Sequence, residues 1–207
     1  MLTFLSEKFE IDETTLPQKV DWYSFGKARK EASFPSQRFV SKWINDGAAT
    51  GRGMVRRKQR LLSKCPKCEE PDEHMLHILT CKSEDSIAFG KMLIAELTVW
   101  FENENIFPEL RAFLLKGVTS WLGVPLTDEP EYDIAEGDLF DAASTQLELG
   151  WYAFLCGLIA TPLIRIQQQH YTSIITSQKR GERWAIRLIH KCWNIIGTSK
   201  QSTTRYQ

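Results

Sequence analysis

Residues 65–81 read CPKCEEPDEHMLHILTC, and these seventeen residues hold three of the chain's five cysteines and two of its four histidines. Cys65 and Cys68 stand in C-P-K-C, and His77 and Cys81 in H-I-L-T-C, giving the ligand pattern C-x2-C-x8-H-x3-C. Three thiolates and one imidazole complete the tetrahedral donor set of a structural Zn²⁺, leaving no position for a reactive water. A C-x2-C pair alone reads as loop thiols or a redox couple; the added His and third Cys turn the reading to metal. We therefore expect one Zn²⁺ on Cys65, Cys68, His77 and Cys81.

The elements that must position these donors follow from the spacing. Two residues between Cys65 and Cys68 let one tight turn aim both sulfurs at a point, and Pro66 presets a backbone angle of that turn. His77 and Cys81, four apart, share a helix face about one turn apart. His74 competes as a ligand. On the same helix it would lie on the order of 10 Å from Cys81, too far for metal bonds of about 2 Å. It could serve instead if the helix began after it.

Around this segment the chain reads as helices. Asp21 can cap a helix from Trp22 to about residue 32, and Ser36 a second one carrying Phe39, Val40, Trp43 and Ile44 on one stripe. Residues 48–53 are a small-residue loop. Glu84 or Ser86 opens a long helix, residues 109–120 form another, and residues 123–137 are an acidic, Pro-containing loop. Asp138 starts the most apolar helix, with Gly150 and Gly157 inside it. Pro162 begins the next, and residues 182–196 form the last, stopped by Gly197. Residues 1–20 carry little periodic signal. Trp22, Trp43, Trp151, Phe154, Trp184 and Trp193 read as core, with base stacking as the alternative for the first two. Cys156 and Cys192 read as small buried hydrophobes, and His170 and His190 as surface residues. With no convincing strand pair and no repeat, the fold class is mainly α: an irregular helical bundle with a small CCHC zinc-stapled module. The organisation is a helical segment with a basic run over 1–60, the zinc module over 61–84, and a helical region over 85–207.

At 43% hydrophobic and 25% charged, the composition is that of a globular protein with a core of its own. Cysteines that are odd in number and mostly ligand-spaced fit an intracellular, reducing compartment, cytoplasm or nucleus. Residues 1–5 are too short for a signal peptide. The longest apolar run, 147–164, is broken by Glu148 and Pro162, so no membrane span is expected. A formal net charge of zero argues against a generic polyanion binder, yet the charges are segregated. Residues 52–67 hold Arg52, Arg56, Arg57, Lys58, Arg60, Lys64 and Lys67 without an acid, directly before the metal motif. A basic run is ordinarily a solvated face; its position makes these seven residues the candidate phosphate contacts.

The order Asp21-Trp22, Arg38-Phe39-Val40-x-Lys42-Trp43, then CPKC…HILTC resembles the zinc-binding region that follows the polymerase in reverse transcriptases of non-LTR retrotransposons and similar mobile elements. Gln146…Gly150-Trp151…Phe154-Leu155-x-Gly157…Gln169-x-Tyr171 looks like the helical tail after that segment. The likeness extends over about residues 20–195, with three residues between His77 and Cys81 where four is commoner in the family. It implies the same four ligands, RNA or DNA as partner through phosphates, and the polymerase part of the same element as a further partner. The polymerase itself is absent: no Asp-Asp pair that could hold Mg²⁺ occurs in the chain. Neither a Gly-rich phosphate loop nor a G-x-S-x-G nucleophile occurs, so no catalytic residue is expected. The acids of residues 128–141 fit a solvated linker better than a nuclease site. The competing reading is a zinc-stapled helical scaffold that binds another protein.

Overall fold

In the computed structural model the described residues are 2–45, 47, 49–124, 137–174 and 179–203, the last six by backbone alone. They form twelve helical segments and no strand. These are α1 (Leu2–Phe9), α2 (Leu16–Lys19), α3 (Trp22–Glu31), α4 (Phe34–Ile44), α5 (Gly51–Arg56), α6 (Met75–Thr80), α7 (Glu84–Asn103), α8 (Pro108–Leu122), α9 (Asp138–Leu149), α10 (Trp151–Leu155), α11 (Thr161–Ser173) and α12 (Gly181–Thr203). A single bridge, Val20 to Ala160, is the only strand-like pairing among the described residues. None of these helices is long and apolar enough to cross a membrane.

Short polar side chains open the helices. Asp21 accepts the Ser24 N–H and starts α3, and Ser83 accepts the Ser86 N–H and starts α7. The core gathers on α12, which packs against α3, α4, α7 and α11. Its Trp184, Leu188, Cys192 and Trp193 are buried, as are Trp151, Phe154 and Cys156. Two buried amides tie loops to this body. Gln146 accepts the Ala160 N–H at 2.9 Å, and Gln167 accepts the Phe107 N–H at 3.0 Å. Each satisfies a backbone donor that burial would otherwise strand. The metal motif is joined to the same body: α6 packs on α7 and α8, and its Met75 and Leu79 lie in the common hydrophobic cluster.

Several helix boundaries differ from the sequence expectation. Ser33, not Ser36, caps α4, because Pro35 fits the first turn of a helix rather than ending the one before it. Residues 51–53, the end of the expected 48–53 loop, instead open α5 behind a Thr50 cap. The long apolar helix from Asp138 breaks at Gly150, whose φ of 82° no right-handed helix accepts, and Gly157 at φ 94° lies beyond α10. There Trp193 and Ile189 press so close that a side chain would crowd them. Gly197 does not stop α12; its open side faces Phe39 of α4. Residues 2–9 and 16–19 are helical despite their weak periodicity. The acidic linker reading at 125–136 lies outside the described residues.

Candidate metal centre

The segment 63–73 folds back on itself before α6. The Cys65 N–H donates to the Glu70 carbonyl at 2.8 Å, and the Glu69 N–H returns to the Cys65 carbonyl at 3.0 Å. Farther out, the Glu73 N–H reaches the Ser63 carbonyl at 2.7 Å, and the Ser63 hydroxyl reaches the Pro71 carbonyl at 2.9 Å. Closing so tight a turn puts Glu69 at φ 66°, in the left-handed region that favours glycine. This turn presents Cys65 and Cys68. Helix α6 then brings His77, and Cys81 follows as the C-cap residue rather than lying inside the helix.

The donor atoms of Cys65, Cys68, His77 and Cys81 all lie within 4.8 Å of one another, a group that could hold a metal ion. The Cys65 and Cys81 sulfurs are 4.0 Å apart, and the Cys68 sulfur is 3.2 Å from His77 Nε2. A tetrahedron with metal–sulfur bonds of about 2.3 Å has edges of about 3.5–3.8 Å, so the observed separations bracket what one ion requires. Cys65 and Cys81 are buried, Cys68 and His77 half-buried. His74 lies outside this group. Helix α6 does begin after it, but its Nδ1 accepts the His77 N–H at 3.2 Å and caps that helix.

The sulfur environment is asymmetric. Burial pushes the Cys65 thiol up to about 11, against backbone hydrogen bonds from Cys68 and Lys67. Burial also pushes Cys81 up, but hydrogen bonding by the Ser83 side chain and backbone, by Cys68 and by Ser86 outweighs it and leaves Cys81 at about 6. Hydrogen bonding thus favours the thiolate at Cys81 and burial disfavours it at Cys65; a dication at the centre would favour the thiolate at every sulfur. Ser83 and Ser86 are residues the ligand pattern alone does not reveal. Their signal is the S-E-D start of α7, which places the capping hydroxyl two residues beyond Cys81.

The basic run lies against this turn but is not a bare cationic strip. Arg52 pairs with Asp72, Lys64 with Glu69 at 3.0 Å, Lys67 with Asp85 at 2.9 Å, and Arg60 reaches Glu73 at 3.9 Å. The acids that follow the run in sequence thus fold back over four of its seven bases. Arg56, Arg57 and Lys58 are exposed at the end of α5, and Arg57 donates to the Gly47 carbonyl at 3.4 Å. Trp43 is 3% exposed and Trp22 packs on the core, so Trp43 presents no face for stacking.

No protein-family model, curated protein or solved structure matches the chain.

Proposed function

We propose that Cys65, Cys68, His77 and Cys81 hold one structural Zn²⁺, and that the chain is the nucleic-acid-holding, zinc-containing part of a retroelement reverse transcriptase protein, without its polymerase. The observation that carries this reading is a closed Cys3His group with a basic helix strapped to it. The Gly51 N–H donates to the Glu73 carboxylate at 2.5 Å and the Arg52 N–H to the Glu73 carbonyl at 3.0 Å, so α5 is fastened to the turn. Thiolate-rich donors select zinc over the hard cations Mg²⁺ and Ca²⁺. Four protein donors leave no open position, so the metal staples rather than catalyses. An anchored run loses less freedom on binding than a floppy one. Its exposed end, Arg56, Arg57 and Lys58, contacts phosphates and so positions RNA or DNA without reading bases. Thiols committed to zinc suit a reducing, intracellular compartment.

Two measurements test the reading. Elemental analysis is expected to find one zinc per chain, lost in Cys68→Ser and kept in Cys156→Ser. Full zinc in Cys68→Ser rejects the ligand set. In a salt titration, binding to RNA or DNA should weaken steeply, by about 0.7–0.9 in the slope per neutralised phosphate. No salt-dependent binding below about 100 mM salt rejects the nucleic-acid role. The protein-scaffold reading then takes over; it is favoured by Leu61 and Leu62, 95% and 66% exposed beside the turn.

A further inference from the structure

The α3–α4 hairpin carries a second cationic surface, unlike the first in one decisive respect. From Trp22 to Asn45 the chain holds Lys27, Arg29, Lys30, Arg38 and Lys42 against a single acid, Glu31. Glu31 is itself taken up by Arg183 of α12 at 2.8 Å. No carboxylate among the described residues pairs with Lys27, Lys30, Arg38 or Lys42. All four are exposed.

Aromatic rings are set among these charges. Tyr23 is 57% and Phe34 69% exposed, although α3 and α4 each have a buried side on which a ring could rest. Phe34, Arg38 and Lys42 recur every fourth residue and form one outward stripe along α4; Tyr23, Lys27 and Lys30 form another on α3. Lys27 lies 5.8 Å from the Tyr23 ring centre and Arg38 5.8 Å from that of Phe34, which holds each ring outward beside a cation. The α4 stripe also runs on into the basic run, because Arg57 is bound to the Gly47 carbonyl just past the end of that helix.

We infer that this hairpin is a binding surface for single-stranded nucleic acid, with Tyr23 and Phe34 stacking bases and Lys27, Lys30, Arg38 and Lys42 holding phosphates. The inference rests on the nucleic-acid reading above and names the surface that does most of the work. Charge complementarity calls for a polyanion. The exposed rings call for unpaired bases, because a duplex keeps its base faces stacked inside.

The test is fluorescence anisotropy of the full zinc-loaded chain with labelled single-stranded RNA, single-stranded DNA of the same sequence, and the matching DNA duplex. Tyr23→Ala with Phe34→Ala should weaken single-strand binding at least about fivefold while leaving the salt slope in place. Tyr23→Phe with Phe34→Tyr should restore it. Lys27→Ala, Arg38→Ala and Lys42→Ala together should flatten the slope by about two. Preference for either single strand over the duplex supports the inference; the RNA and DNA arms decide which sugar is held. Equal binding of the duplex, untouched by loss of the rings, overturns it. If both hairpin variants bind like wild type while Arg56→Ala, Arg57→Ala and Lys58→Ala do not, this surface is wrong and the nucleic-acid reading stands. If wild type binds none of the three, both fall.

Discussion

Cys65 and Cys192 are both buried thiols, but their neighbours differ. Around Cys65 the backbone N–H groups of Lys67 and Cys68 point at the sulfur, and two further sulfurs and an imidazole share its space. Cys192 lies in the core; burial, with Cys156 beside it, pushes its thiol up to about 12. A thiolate is the nucleophile toward alkylating agents, so the five cysteines should divide cleanly. With a metal bound as proposed, all five should resist iodoacetamide in the folded protein. Chelation should expose three, Cys65, Cys68 and Cys81, and Cys156 and Cys192 should react only on unfolding. Peptide mass spectrometry after timed labelling checks this. Labelling of Cys156 or Cys192 as fast as Cys68 in the chelated protein would show that the two do not sit in a closed core.

Helix α5 marks where sequence reasoning stops. Its residues, GRGMVR, include two glycines and no apolar stripe, so propensity and periodicity both point to loop. What makes it helical is one local cap and one tertiary bond. Thr50 caps it by accepting the Gly53 N–H at 3.0 Å, and the Glu73 carboxylate takes the Gly51 N–H. The convergence of Cys65, Cys68, His77 and Cys81 was legible because C-x2-C and the His-Cys step are the local spacings that one small ion would demand. The large core aromatics were legible from helical spacing. The breaks at Gly150 and Gly157 were not, because they depend on which helix packs opposite. Gly51 turns this into a prediction. A Cβ there would sit 2.3 Å from the Ser63 carbonyl oxygen, a backbone atom already bonded to Glu73. By propensity alone Gly51→Ala should stabilise a helix by about 1 kcal/mol. We expect instead a loss of about 1–3 kcal/mol from the clash, with weaker zinc retention in a chelator competition, because α5 and the turn must part. Urea unfolding that shows a more stable Gly51→Ala protein would mean that α5 does not dock as described.

At the scale of the molecule the question is whether the metal segment is an appendage or part of the body. Its three hydrogen-bonded layers, from Cys65–Glu70 out to Ser63–Pro71 and Ser63–Glu73, bury little apolar surface of their own. Without an ion, the buried Cys65 and Cys81 of this group must also bear the cost of any charge that burial disfavours. The next turn of chain nevertheless leads into Met75 and Leu79, 1% and 2% exposed, which enter the core beside α7 and α8. Loss of an ion held by these four donors should therefore loosen α6, whose Met75 and Leu79 belong to the common core rather than to a separate one. A ligand that binds only the folded state adds about 2.7 kcal/mol at one hundred times its dissociation constant. In a chain of this length each kcal/mol moves the midpoint by about 2–4 °C. Chelation should thus lower a single cooperative melting transition by about 5–10 °C, with the helical signal retained below it. Calorimetry with and without chelator, alongside far-ultraviolet circular dichroism, measures this. A new low-temperature transition, with the main Tm unmoved, would instead make the metal segment a module folding by itself, tethered to the bundle by α6 alone.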